Sequence, residues 1–277
     1  MRMRYAALWL VSLLPLAAQV EWKELSGGRI QLLENGSPVL SYNAGVQLAA
    51  GAPDDRARCC YIHPVWSPAG VVVTDDFPAD HYHHRGLFWA WPQIVVDGKR
   101  LDSWMLRGVA PAFVKLHKAE GAELQVENAW MMGDRKLLRE MVTIRHLKTG
   151  HFRLELELTP LVDLKLVGAP EAGKGYGGLS TRFAAREGTA MRSSEGEVRK
   201  DEDLTPHAWA EFEATYQGRR ARLRITPDPS NPGEPNPWCL RFYGFLGSSW
   251  PARTPVEMKA GSNWKLVYDV EVGDVVQ

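Results

Sequence analysis

Cysteine is scarce in this chain, net charge is absent, and past the first residues there is no long apolar run. Cys59, Cys60 and Cys239 are the only cysteines, too few for a disulfide framework. An oxidising compartment would allow one bridge, from Cys59 or Cys60 to Cys239. Adjacent cysteines seldom pair with each other because the ring is strained, so small buried hydrophobes are the simpler reading. Lys plus Arg and Asp plus Glu stand at 33 each, so no global field draws nucleic acid or an anionic membrane. Beyond residue 16 no stretch approaches the roughly 20 consecutive apolar residues of a membrane span. There is no Gly-x-Ser-x-Gly elbow, no phosphate-binding loop, no internal repeat and no sustained helical period. No cofactor is expected.

What is present begins with a leader. Arg2 and Arg4 precede an apolar run from Tyr5 to Leu16 and the small pair Ala17-Ala18, the layout of a secretory signal cleaved after Ala18. No cysteine follows the cleavage point, so a lipid anchor is not supported. The expectation is a signal peptide over residues 1–18 and a single β-sandwich domain over residues 19–277, periplasmic or secreted, with no membrane contact after cleavage. Sandwiches commonly reach about 200–250 residues as one unit.

Alternation with a period of two dominates the rest. Phe152, Leu154, Leu156 and Leu158 alternate with Arg153, Glu155 and Glu157, and Trp264, Leu266, Tyr268, Val270 and Val272 alternate mostly with polar residues. This predicts half-buried antiparallel strands. Asn35-Gly36, Asp97-Gly98, Lys148-Thr149-Gly150 and Gln217-Gly218 predict hairpin turns between such runs. The fold class is therefore all-β, a large antiparallel β sandwich. Irregular stretches at 60–91, 168–179, 193–206 and 226–250 are where function is expected.

One of these stretches concentrates the chemistry. Half of the eight histidines lie between Tyr61 and Gly86, beside Asp75, Asp76 and Asp80. If 82–91 enters a strand, His81 and His83 share one side and His84 takes the other. Two imidazoles on one face could ligate a metal, with a third ligand from Asp75, Asp76, Asp80 or His63. The glutamate of a cupin pattern is missing, because Gly86, Leu87 and Phe88 stand in its place. Acid–base chemistry is the main expectation, since imidazole titrates near neutrality and Arg85 offers fixed donors to an oxygen-rich substrate. Gly173-Lys174-Gly175-Tyr176-Gly177-Gly178 matches a dinucleotide fingerprint in letters only. A strand rather than a helix is predicted to follow it, so it reads as a loop that lets backbone approach a ligand. Of eleven tryptophans most are expected in the core, with Trp238, after a Pro-rich loop, as the platform for a sugar face.

Several ordered motifs carry a family resemblance: Tyr61-Ile62-His63-Pro64, Thr74-Asp75-Asp76-Phe77-Pro78, Asp80 to Gly86, Gly175-Tyr176-Gly177-Gly178-Leu179-Ser180, and Pro229-Ser230-Asn231-Pro232 with Pro237-Trp238. Together they resemble a bacterial family labelled methane oxygenase PmoA, with Tyr82 where that family has proline. The label implies several spanning helices, and none follows the leader. The resemblance implies a galactose-mutarotase-like supersandwich and a setting in carbohydrate breakdown. The resulting expectation is an exported protein acting on a carbohydrate or glycoside by epimerase, lyase or hydrolase chemistry. His83 or His84 would transfer the proton and Asp76 would orient it, while His63, His81, Arg85, Tyr176, Arg182, Asn231 and Trp238 shape the pocket. A non-catalytic carbohydrate-binding module and a metal-dependent enzyme centred on His81 and His83 are the alternatives.

Overall fold

The computed structural model describes residues 18–276 apart from 172, so the predicted leader lies almost wholly outside the described residues. Among these residues the only helical element is a short 3-10 turn at Asp54–Arg56, and everything else regular is strand. Among the described residues no helix is long and apolar enough to cross a membrane.

The alternating segments pair as their pattern requires. Phe152, Leu154, Leu156 and Leu158 lie opposite Val270, Tyr268, Leu266 and Trp264. The four residues of the first strand are at most 1% exposed, and each such side chain taken from water contributes about 1.5–3 kcal/mol. All four predicted turns connect antiparallel partners. At Asn35-Gly36, φ is 50° and 79°. Both residues are thus in the left-handed region that a two-residue hairpin turn needs, which asparagine and glycine enter at least cost.

The strands form two nine-stranded antiparallel sheets and one of four strands. The first sheet runs in the order Val20–Leu25, Arg29–Glu34, Ser37–Asn43, Tyr61–Val65, Leu87–Ala90, Gly178–Arg182, Phe245–Ser249, Pro237–Arg241 and Glu202–Pro206. In the second, Glu187–Ser193 and Ala210–Tyr216 lead through Trp264–Asp274 and His151–Pro160 to Ala110–Glu120 at the far edge. The inner faces of both meet in one apolar cluster that includes Leu32, Leu40, Leu154, Leu156, Phe212 and Leu266. This is the all-β antiparallel sandwich expected from the alternation.

The strand Leu87–Ala90 explains where the chemistry sits. Leu87 and Trp89 enter the main core. Phe88 and Ala90, on the opposite face, join Tyr61, Trp104, Cys239 and Phe245 in a second, smaller cluster. Loops cover that outer face, and a cleft lies among them. The three cysteines are buried free thiols. Cys59 and Cys60 sit in the main cluster and Cys239 in the smaller one, so the allowed bridge to Cys239 is not formed.

Candidate functional site

The histidine motif folds as a turn, which corrects the strand geometry considered for it. The His81 N–H donates to the Pro78 carbonyl at 2.9 Å and the His84 N–H to the His81 carbonyl at 2.8 Å; the strand starts only at Leu87. Residues three apart therefore come together instead of alternating. The His81 and His84 rings stack with centroids 4.7 Å apart and planes 2° from parallel. His83 stands edge-on to both, at 5.6 and 4.5 Å. Tyr243 stacks on His81 at 5.2 Å. Gly86 permits the tight entry into the strand, since a Cβ there would lie 2.4 Å from the Ile62 carbonyl oxygen.

These rings line an open cleft of about 100 Å³ with Trp104, Lys174, Tyr176, Cys239, Arg241, Tyr243 and Phe245. His81 Nδ1 lies 3.0 Å from Asp80 Oδ2. Arg182 Nη2 donates to both Asp80 oxygens at 2.8 and 2.7 Å. Burial pushes the Asp80 carboxyl up, but the hydrogen bonds from His81 and Arg182 outweigh it and hold the group below its ordinary value. His84 Nδ1 is buried without a hydrogen-bond partner among the described residues. Burial, then neighbouring imidazole and arginine charge, pulls His83 down to about 4 and His84 further still. Both rings are neutral at pH 7.

The other half of the motif is turned inward. The Tyr61 hydroxyl donates to Asp76 Oδ2 at 2.7 Å, and Arg85 Nε forms an ion pair with Asp76 Oδ1 at 3.6 Å. Burial raises Asp76 to about 6, against the pull of Arg85 and Tyr61. Arg85 is 0% exposed, and burial lowers it to about 10. Its guanidinium donates to the carbonyls of Tyr82 at 2.6 Å, His84 at 2.7 Å and Arg56. Arg85 thus fixes the backbone of the histidine turn from beneath. His63 Nδ1 meets Thr74 Oγ1 at 3.0 Å, and burial followed by the Arg85 charge lowers it to about 4.

Of the residues expected at the pocket, the fold brings together His81, His83, His84 and Tyr176, with Arg182 behind the wall. His63, Asp76 and Arg85 lie outside the lining. Asn231 is also elsewhere: its amide donates to the Val267 carbonyl and accepts from the Val267 N–H, both at 2.7 Å, tying the Pro-rich loop to the last strand. Trp238 needs a correction as well. It is 0% exposed and its indole N–H donates to the His207 carbonyl at 2.7 Å, so it has no free face for a sugar.

Trp104, Lys174, Cys239, Arg241, Tyr243 and Phe245 were not expected from the sequence. All but Trp104 fall within stretches predicted to be irregular. Trp104 sits in a turn held by two arginines of the segment before Cys59, Arg58 donating to the Ser103 carbonyl and Arg56 to that of Met105. The Gly-rich segment leads directly into the strand Gly178–Arg182, so no helix start is available for a dinucleotide phosphate. Among the described residues no group of three or more His, Cys, Asp or Glu side chains is arranged to hold a metal ion.

The chain belongs to DUF6807, a family of unknown function whose profile matches residues 29–275. That assignment overturns the resemblance to the PmoA-like family, which nothing supports. The motifs that suggested it are short, and several are explained by local packing, as with Asn231 and Trp238. No curated protein matches the chain. Among solved structures it is similar to the Slr1438 protein from Synechocystis sp. PCC 6803, with 11% identity over 93% of this chain and 92% of that one and a TM-score of 0.45. It is also similar to the GalM/aldose epimerase homologue from C. elegans, with 8% identity over 94% and 100% and a TM-score of 0.44. A heparan sulfate lyase HepC mutant from Pedobacter heparinus shares 10% identity over 93% of this chain, at a TM-score of 0.42; the chain spans 37% of its length.

Proposed function

We propose that this is an exported carbohydrate-active enzyme that moves a proton at a sugar bound in the imidazole cleft, with His81 as the transfer group and Asp80 orienting it. The observation that carries the reading is the chain Arg182–Asp80–His81 at the cleft wall. An ionised carboxylate can only accept, so Asp80 makes Nδ1 of His81 the donor and leaves Nε2 as the atom that takes up or gives the transferred proton. This moves the orienting role from Asp76, already engaged by Tyr61 and Arg85, to Asp80. His83 becomes a neutral group that can donate and accept a hydrogen bond toward hydroxyls, and His84, whose Nδ1 is buried, offers only Nε2.

The sugar class follows from the mixture of surfaces. Trp104, Tyr243 and Phe245 give the lining an apolar share that suits a ring's C–H face, and the imidazole groups beside them suit hydroxyls. The cleft's volume of about 100 Å³ is below the roughly 300 Å³ of a pocket that encloses its ligand. A single ring or chain end is gripped, not an oligosaccharide. That shallowness also favours a second reading, a binding module without turnover.

Purified protein incubated with a panel of sugars and glycosides and followed by NMR should show conversion of at least one of them. His81→Gln should slow that conversion by about 10²-fold or more with little change in thermal stability. A rate unaltered by His81→Gln would remove the assignment, while saturable binding without conversion in the unmodified protein would select the binding module. Export rests on the residues before Gln19, and sequencing of the secreted protein should begin there.

A further inference from the structure

Building on the carbohydrate reading, we infer that the cleft selects a sugar bearing a carboxylate, a uronate, over the corresponding neutral sugar. No Asp or Glu side chain is among the residues lining it, whereas Lys174 and Arg241 both are. A neutral sugar presents hydroxyl hydrogens that call for acceptors, and carboxylates are the strongest acceptors a side chain offers. Two carboxylates beside the lining are already taken. Asp80 is held by Arg182 and His81, and Asp203 by Arg241 at 2.5 Å. Arg241 is further fixed by donation to the Glu202 carbonyl at 2.7 Å, so its charge sits in the wall at a defined place.

The field inside the cleft has the matching sign. After burial, the groups that bear most strongly on His83 are His81, Arg56, Arg85 and Arg58, and on His84 they are His83, His81, Arg182 and Arg85. The arginines among them, Arg56, Arg58, Arg85 and Arg182, are the cations, and each disfavours a proton on the ring. The same positive potential favours an anion beside it. Negative charge bears on Tyr176, from Glu171 and Asp102. A uronate in the cleft would meet Trp104, Tyr243 and Phe245 with its ring and Arg241 and the histidines with its carboxylate. Lys174, exposed at the rim, would add to capture.

Calorimetric titration of the whole protein with methyl glucuronide, methyl glucoside, glucose 6-sulfate and acetate tests this directly. The glucuronide should bind about tenfold or more tightly than the glucoside, as expected when a charge-assisted hydrogen bond is gained. Lys174→Glu, on the exposed rim, should cut that preference by about threefold or more, and added salt should erode it in both proteins. The bound glucuronide should also raise the titration midpoint of His83, read from its imidazole C–H resonance, where the glucoside leaves it unmoved. Equal affinity for glucuronide and glucoside would overturn the inference and leave the carbohydrate reading standing. Preference for the sulfate over the glucuronide would overturn the carboxylate assignment. Acetate binding as tightly as glucuronide, or no binding by any sugar, would overturn both.

Discussion

Asp76 and His83 belong to one loop and meet opposite surroundings. Around Asp76 the Tyr61 hydroxyl and the Arg85 guanidinium, itself flanked by the Phe77 and Tyr61 rings, supply partners for a carboxyl that is only half-buried. Around His83 there are rings on two sides and a cleft on another, and no side chain among the described residues accepts from it or donates to it. A polar group whose partners are supplied by the protein is part of the architecture. One whose capacity is left open beside a cleft is available to a ligand. Arg85 joins the two regions, because it pairs with Asp76 on one side and holds the carbonyls of Tyr82 and His84 on the other.

Breaking that link should have the largest effect. Arg85→Ala leaves a half-buried Asp76 without its cation and two turn carbonyls without their donor, and removing one partner of a buried pair costs up to about 3–5 kcal/mol. Urea unfolding should show a loss of that size. Replacing both members together, Arg85→Met with Asp76→Leu, should recover part of it, because no uncompensated charge remains. A loss below about 1 kcal/mol in Arg85→Ala would mean that the inner cluster does not hold the turn, and the contrast between the two regions would fail.

A smaller effect separates the regions by the sign of their pH dependence. His83 is held at about 4 against an ordinary value of about 6.5, so below about 6.5 the unfolded chain takes up a proton that the folded chain refuses. Its contribution to stability is complete above that value and is lost as pH falls through 4. Asp76 runs the other way. Raised to about 6, it keeps a proton in the folded state that the unfolded chain releases above about 3.9. Its contribution is present in acid and lost as pH rises through 6. The stability gained between pH 4.5 and 6.5 should therefore shrink in His83→Asn and grow in Asp76→Asn, read from urea midpoints at the two values. A shift of the same sign in both variants would show that the two groups share one environment. His63, also held at about 4, acts with His83 in this window, so His63→Asn should shrink the gain as well.

The fold was largely legible in the alternation. Leu154, Leu156, Tyr268 and Val270 could face only inward, and Asn35-Gly36 or Gln217-Gly218 could only turn. The location of the site was legible too, because a dense polar loop has no regular pattern to explain it. The division within that loop was not. Whether Asp76 or Asp80 meets an imidazole depends on Tyr61 and Arg182, which arrive from other strands, and period-two reasoning does not say which strands become neighbours. The expectation that His84 takes the side opposite His81 and His83 failed because two consecutive turns replaced the strand and brought all three rings to one cleft. Trp238 and Trp104 show the same limit. Both are indoles beside loops, yet one donates to a carbonyl in the core and the other lines the cleft, and only the order of the strands decides between them.

The smallest effect on stability belongs to a residue on the open side. Tyr243 is 40% exposed, its ring stacked on His81 and the Arg182 guanidinium 5.0 Å from its centre. It supports both ends of the Arg182–Asp80–His81 chain without being buried among them. Tyr243→Ala should thus change folding stability by no more than about 0.5 kcal/mol, as for most surface positions. It should still weaken sugar affinity by about threefold to tenfold, the worth of an aromatic contact. Tyr243→Phe should keep most of that affinity, since the ring and not the hydroxyl carries the stacking. If Tyr243→Ala instead destabilised the protein as strongly as Arg85→Ala, the open side would be as structural as the inner one. The free imidazoles would then be packing groups rather than a site.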